Sequence, residues 1–202
     1  MTRPLIAVTQ RVVTVPEYGE RRDALDQRWT SFLAACGYLA TPVPNDPAVA
    51  CELVVAAGVS GLLLTGGNDL VDVGGDAPER DATERALLTL VLERGLPVVG
   101  VCRGMQVIQS QWGVPLQRVS GHVTPSHEIA VGGARAHVNS YHGFGATTTA
   151  GPLEVWAKAD DGVVEAVRHR SAPVVGVMWH PERYSDPRPV DIELFRSSLP
   201  VR

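Results

Sequence analysis

Pro97-Val98-Val99-Gly100-Val101-Cys102-Arg103-Gly104-Met105-Gln106 is the stretch from which the rest of the chain can be read. Its apolar run has no polar alternation, which marks a strand covered on both faces. It ends in Gly100-x-Cys102-x-Gly104, a strand-turn-helix elbow with cysteine in place of serine. Glycines flank the central residue because side chains there would collide with the neighbouring strand and helix. Such an elbow lifts the sulfur above the carboxyl edge of the sheet, where open α/β folds bind ligands. It also sets the sulfur at the amino end of a helix, whose dipole and free N–H groups favour thiolate. A free cysteine, with a pKa of about 8.5, is only a few per cent ionised at neutral pH, so this help matters. The N–H of Arg103 then points to where an oxyanion would form. A buried cysteine in a glycine-rich turn fits the same five residues. The strand before and the helix after favour the nucleophile.

Working outward, Leu5–Thr9, Leu39–Val43 and Gly61–Leu64 read as further strands, the last ending in Thr65-Gly66-Gly67. Helices are predicted over Asp23–Ala35, with Leu25, Trp29, Phe32 and Leu33 on one face, over Ala48–Ala57, and over Arg80–Arg94, stopped by Gly95 and Pro97. Strands without alternation, separated by helices, imply a parallel sheet. Past residue 113 the texture changes to paired strands: Glu128–Val131, Ala136–Ser140, Leu153–Ala159 and Val163–Val167, with a hairpin turn at Asp160-Asp161-Gly162. Val174–Met178 is a further buried strand, and a helix over Pro189–Leu199 closes the chain. The expected fold is α/β, a flavodoxin-like open sheet, mostly parallel and flanked by helices, with an antiparallel extension in the carboxyl-terminal half. A single domain over 1–202 is expected.

Bulk properties narrow the function. The formal net charge is −4 and the sequence pI about 5.8, so no basic footprint for nucleic acid or an anionic membrane is present. The opening Met1-Thr2-Arg3-Pro4 leads into an apolar run too short for a signal peptide, and no stretch approaches a membrane span, which predicts a cytoplasmic protein. Cys36 and Cys51 lie in apolar helical settings without C-x-x-C spacing, which argues against disulfides and thiolate metal clusters. Among six histidines, His180 stands out because it ends an apolar strand and precedes Pro181 and Glu182. That carboxylate can bond one ring nitrogen and leave the other facing sulfur. The pairs His122/His127 and His137/His142 lack a convincing helix or a nearby third ligand, so no metal is expected.

Taken together, Gly-x-Cys-x-Gly-x-Gln followed by Trp179-His180-Pro181-Glu182 resembles the class I glutamine amidotransferase family, over nearly the whole chain. The resemblance implies Cys102 as nucleophile, His180 as general base and then acid, and Glu182 as its orienter. It implies an oxyanion hole from the N–H groups of Arg103 and of Gly67, in Leu64-Thr65-Gly66-Gly67-Asn68-Asp69. It places Gln106 near a γ-glutamyl moiety, and the backbone of Ser140-Tyr141-His142-Gly143-Phe144 around the α-amino and α-carboxylate groups of glutamate. A strand end with a glycine turn is the plain alternative for that segment. Asn68 and Asp69 either cap a helix or shape the loop. No cofactor is implied.

Three features resemble hydrolases related to γ-glutamyl-γ-aminobutyrate hydrolase rather than ammonia-producing synthase subunits. These are Arg103 where synthase subunits usually carry leucine, Thr65-Gly66-Gly67-Asn68-Asp69, and Arg80-Asp81-Ala82-Thr83-Glu84 opening a helix. Arg80, Asp81 and Glu84 read equally as a solvated first turn. Thr9-Gln10-Arg11-Val12, then Tyr18 and Arg21 to Trp29, is similar to a shorter subgroup encoded with surface-polysaccharide genes, that of γ-glutamyl-CDP-amidate hydrolase. On that resemblance Gln10 and Arg11 share the rim with Cys102, and Arg11 with Arg103, Arg21 or Arg22 meets a diphosphate. A surface cluster pairing with Glu17, Glu20 and Asp23 is the alternative. The expected activity is hydrolysis of a small γ-glutamyl amide through a thioester, releasing glutamate. The alternatives are a glutaminase subunit serving a partner synthase and a γ-glutamyl-γ-aminobutyrate hydrolase of polyamine catabolism. A catalytically silent relative is disfavoured by the intact Cys102, His180 and Glu182. Self-association and a synthase partner are left open.

Overall fold

The computed structural model describes residues 2–199; Met1 and residues 200–202, which belong to the expected 1–202 unit, lie outside it. The first part of the chain runs β1 (Leu5–Val8), β2 (Arg11–Val15), β3 (Glu20–Ala24), α1 (Arg28–Cys36), β4 (Leu39–Pro42), α2 (Pro47–Ala57), β5 (Gly61–Leu64), α3 (Pro78–Glu93), β6 (Val98–Val101) and α4 (Arg103–Gln111). It continues through β7 (Gln117–Arg118), β8 (Val123–Val131), β9 (Ala134–Tyr141), β10 (Phe144–Gly145), β11 (Leu153–Ala159), β12 (Val164–His169), β13 (Val174–Val177) and α5 (Pro189–Ser198).

Nine strands form one sheet in the order β4-β1-β5-β6-β13-β12-β11-β8-β9. The neighbours from β4 to β13 are parallel, and every pairing from β13 to β9 is antiparallel. This is the flavodoxin-like open sheet with its antiparallel extension. Alternation within the strands builds two cores. Ala7, Leu62, Leu64 and Val98 face one cluster, completed by Val54 of α2, Leu87 and Leu88 of α3, and Ile108 of α4. Ile6, Val8, Leu63, Val99 and Val101 face the other, where Phe32 of α1 meets Phe195 of α5 edge-on with ring centroids 4.8 Å apart. Period-two patterning on strands buried on both sides thus gives helices on both faces.

One prediction from sequence is corrected. The helix placed over Asp23–Ala35 begins only at Arg28, because Glu20–Ala24 pairs antiparallel with Arg11–Val15 as a separate two-stranded ribbon. The residues of β3 are mostly charged and exposed, so they carry no apolar alternation to mark a strand.

The elbow depends on how closely α4 approaches the sheet. Gly100 lies on the face that α4 covers, and a Cβ there would meet the Gly104 backbone and Ile108 Cδ1 at 2.6 Å. A Cβ on Gly104 would lie 2.1 Å from the carbonyl oxygen of Leu64. Neither backbone atom can yield without lifting the helix. Gly104→Ala should therefore lower the unfolding free energy by about 2 kcal/mol or more. Gly143→Ala, where an added Cβ meets nothing within 4 Å, should change it little. Urea denaturation checks the pair; equal stabilities would contradict the close approach.

Candidate active site

Strand β6 lies between β5 and β13, all parallel, so the segments leaving their carboxyl ends converge. Thr65-Gly66-Gly67 follows β5, Cys102 follows β6, and Trp179-His180 comes just after β13. Cys102 has φ 54° and ψ −108°, with its N–H donating to Val177 O at 2.7 Å. A positive φ on a residue with a side chain is a strained state that points the side chain off the strand axis.

The His180 ring lies beside Cys102, since a Cβ on Gly66 would meet Cys102 Cβ and His180 Nε2 alike at 3.5 Å, and its Nδ1 donates to Glu182 Oε1 at 2.7 Å. The short 3-10 turn Pro181–Arg183 folds Glu182 back to make that contact. With Nδ1 committed to the carboxylate, Nε2 is the nitrogen left for sulfur. A residue missed in the sequence, Asn139 of β9, fixes the histidine backbone. Its Oδ1 accepts from the His180 N–H at 2.7 Å and its Nδ2 donates to His180 O at 2.9 Å. An asparagine inside a strand gave no signal of this, since its partner lies in a distant loop. Burial works against a charged imidazole here, but the Cys102 sulfur and then Glu182 outweigh it, and the His180 pKa is pushed up to about 9. The charged form of the imidazole is thus favoured at this position.

Gly66 packs against this pair: a Cβ on it would come within 2.6 Å of His180 Cε1. The loop is held from behind by Arg80, which is fully buried. Its Nη2 donates to Thr65 O at 2.9 Å and to Gly66 O at 3.1 Å, and its Nη1 to Gly67 O. In a trans peptide the C=O and the following N–H point opposite ways. Drawing the Gly66 carbonyl toward Arg80 therefore turns the Gly67 N–H to the other side, where the cleft lies. Gly67, Asn68, Asp69, Cys102, Arg103 and Gln106 line that cleft, with Tyr141, His142 and Gly143 opposite; its volume is about 240 Å³. A groove of about 660 Å³ along Trp156, Trp179 and Leu194 contains none of Cys102, His180 and Glu182.

The charges near Arg80 are not a solvated first turn. Arg80 pairs with Glu84 at 2.9 Å, and the Arg103 guanidinium pairs with both Glu84 and Asp81, all four side chains buried. Burial alone would raise the Glu84 pKa, yet Arg103 and Arg80 hold it below the usual carboxylate range. Burial also lowers the Arg80 pKa to about 10, against the pull of Glu84. The Arg103 side chain thus points away from the cleft, which corrects its assignment to a diphosphate; its backbone alone faces the site.

Other expected contacts divide. Gln106 lines the cleft and donates Nε2 to Phe144 O at 2.9 Å. Tyr141 packs against His180, ring centroids 5.8 Å apart, and the Arg183 guanidinium lies over the Tyr141 ring at 4.6 Å. Gln10 donates to Val43 O at 2.9 Å and does not line the cleft, nor does the Phe144 side chain. His142 turns its ring inward and offers the cleft its backbone. Arg21 pairs with Glu79 and Arg22 with Glu20, so both belong to the surface. Arg11 differs from them: a Cβ on Gly67 would lie 2.9 Å from its Nε, and it has no ion-pair partner among the described residues.

Elbow, flanking loop and sheet order define the class. The family model for class I glutamine amidotransferases matches residues 23–197, and the chain belongs to that family. It is 27% identical to γ-glutamyl-CDP-amidate hydrolase of Campylobacter jejuni, over 88% of this chain and 90% of that protein. It is 30% identical to γ-glutamyl-γ-aminobutyrate hydrolase of Escherichia coli O157:H7, over 81% of this chain and 80% of that one. A glutamine amidotransferase structure from Thermotoga maritima shares the fold with a TM-score of 0.68 at 13% identity, covering 98% of this chain and 85% of the other. These relatives, two of them named as γ-glutamyl hydrolases, support an amidohydrolase. Among the described residues no helix is long and apolar enough to cross a membrane.

The raised pKa of His180 has a checkable origin. In an NMR titration the imidazole should deprotonate near 9 in the parent protein. In Cys102→Ala the largest source of the rise is gone, and burial is opposed by Glu182 alone. The pKa should then fall by about one unit or more. An unchanged value would show that the sulfur does not face the ring.

Proposed function

We propose that the protein is a hydrolase that cleaves a γ-glutamyl amide through a thioester on Cys102, the whole chain acting as one amidotransferase-like domain that needs no synthase partner and no cofactor at the reacting atoms. The observation that carries this reading is the placement of Cys102, at its strained elbow, beside a His180 ring that Glu182 holds at Nδ1, with both residues packed on Gly66.

The Cys102 thiolate attacks the γ-carbonyl carbon, and the carbonyl π electrons move to oxygen. The Gly67 and Arg103 N–H groups receive that oxyanion, a stabilisation made in the transition state and not before. The intermediate collapses, the C–N bond breaks, and the His180 imidazolium gives its proton to the departing nitrogen. Water then enters. His180, now neutral, takes its proton as the oxygen attacks the thioester carbon. Collapse of this second intermediate expels thiolate and leaves glutamate. Glu182 keeps Nδ1 protonated throughout, and Arg80 holds the loop without touching substrate.

For the leaving group, a cytidine diphosphoramidate is the reading best supported. The Campylobacter jejuni hydrolase aligns along nearly its full length, and Arg11 offers beside Gly67 a guanidinium with no ion-pair partner among the described residues. An anionic leaving group meets that cation by charge-assisted bonds. The site belongs to a cytoplasmic enzyme on this reading, since nucleotide-linked substrates are made there.

Glutamate release from a panel of glutamine, γ-glutamyl-γ-aminobutyrate and γ-glutamyl-CDP-amidate tests the assignment. The diphosphoramidate should lead in kcat/KM by about 100-fold or more; brisk hydrolysis of glutamine alone would overturn the substrate, and the aminobutyrate leading would replace it. Cys102→Ala should keep the fold and lose about 10⁴-fold or more in kcat, while Glu182→Gln loses roughly 100-fold less than that. Retained turnover in Cys102→Ala would end the covalent mechanism. Arg11→Gln should lower kcat/KM for the diphosphoramidate about tenfold or more, with a smaller change for glutamine. Equal losses on both substrates would remove Arg11 from leaving-group recognition.

A further inference from the structure

Behind the segment Tyr141-His142-Gly143, which lines the cleft with Cys102, three imidazoles converge on one carboxylate. Glu165 of β12 is fully buried. Its Oε1 has His122 Nδ1 at 3.0 Å, His142 Nε2 at 3.3 Å and His127 Nε2 at 3.6 Å. The outer nitrogens of two of these rings are already committed. His122 Nε2 lies 2.9 Å from Asp161 Oδ2, and His142 Nδ1 lies 3.0 Å from the Phe144 carbonyl.

The proton count is the difficulty. A carbonyl oxygen and an ionised carboxylate only accept, so the nitrogens facing them carry the hydrogens. Neutral His122 and His142 are then left with bare lone pairs on Nδ1 and Nε2, both aimed at a carboxylate oxygen that is itself an acceptor. His127 Nε2, His142 Nε2 and Glu165 Oε2 are buried without a hydrogen-bond partner among the described residues. A single shared proton can join one nitrogen to the oxygen but leaves the others opposed. Charging several rings is costly too, because the His122 ring centroid is only 4.5 Å from that of His127 and 4.7 Å from that of His142. Acceptors converging on one buried point are what a cation requires.

We propose that His122, His127 and Glu165, with His142 as the nearest further donor, bind a divalent transition-metal ion of the zinc class. The donor atoms of His122, His127 and Glu165 all lie within 4.8 Å of one another. Tetrahedral zinc with bonds of about 2.0–2.2 Å separates its donors by roughly 3.3 Å. The distances to Glu165 Oε1 bracket that value. Asp161 on His122 and the Phe144 carbonyl on His142 supply the outer hydrogen bonds that orient metal-bound imidazoles and fix their tautomers.

Such an ion has a structural task. It ties the start of β8 to β12 and to the cleft-lining segment at His142. The Phe144 carbonyl that orients His142 also accepts from Gln106 of α4, a cleft residue. The ion therefore braces the wall opposite Cys102 without touching the reacting atoms. It stands apart from the choice of substrate. The sequence predicted no metal because His122 and His127 showed no third ligand; Glu165 reaches them only through the pairing of distant strands.

The test uses the full chain, purified without added metal and passed through a desalting column. Elemental analysis should find about one zinc per chain. Chelator-treated protein titrated with Co²⁺ should develop the visible bands of a four-coordinate N/O site and gain thermal stability. His127→Asn should weaken Co²⁺ binding by about 100-fold or more, and Asp161→Asn by about tenfold. Cys102→Ala should bind as the parent does. No retained zinc with no Co²⁺ spectrum at millimolar metal overturns the proposal. So does a sulfur-to-cobalt charge-transfer band that disappears in Cys102→Ala, since the ion would then sit at the nucleophile. If Glu165→Gln fails to fold, the parent titration still decides.

Discussion

The backbone of Cys102, held at φ 54° and ψ −108°, is the constraint around which the neighbouring elements are arranged. A non-glycine residue in such a state costs about 1–3 kcal/mol and persists only where its surroundings admit no relaxed alternative. Here the alternatives are closed from both sides. Val177 O takes the Cys102 N–H, the Cys102 carbonyl accepts from the Gln106 N–H at 3.1 Å, and Gly104 rides against the Leu64 carbonyl. The strain turns the sulfur away from β6 and toward the segments that leave β5 and β13. Because those strands flank β6 in a parallel array, the loop with Gly67 and the segment with His180 arrive without any long excursion.

The buried ion pairs behind the loop serve the same geometry. Taking Arg80, Asp81, Glu84 and Arg103 out of water is expensive, and apolar replacements of similar volume often leave a protein equally or more stable. Stability alone is therefore a weak reason for the cluster. Its hydrogen bonds supply a better one. Arg80 draws in the carbonyls of Thr65, Gly66 and Gly67 together, something no apolar side chain can do. Arg103 anchors the first turn of α4 to α3 through the same carboxylates, so the two N–H groups proposed to face the oxyanion are set by one network.

Local signals were legible in the sequence. The apolar run into Gly100-x-Cys102-x-Gly104 and the carboxylate two residues after His180 are short-range patterns, and the structure brings these residues together. The flavodoxin-like sheet followed from strands lacking polar alternation. What stayed hidden depends on long-range burial. Arg80 and Glu84 have helical i, i+4 spacing, but only the arrival of Arg103 distinguishes a buried network from a solvated turn. The β2–β3 ribbon was missed because Arg21-Arg22-Asp23 has no buried face. Asn139, and the meeting of Glu165 with His122 and His127, arise from strand pairings that no local pattern encodes.

The most direct test of the proposed role of Cys102 is to trap the acyl-enzyme that the proposal requires. The protein is mixed with a γ-glutamyl amide, quenched in acid within the first turnover, digested and examined by mass spectrometry. A γ-glutamyl group on the peptide carrying Cys102, disappearing as glutamate is released at the turnover rate, is the predicted result. Steady turnover with Cys102 unmodified at every quench time, or with the γ-glutamyl group on another residue, would contradict it.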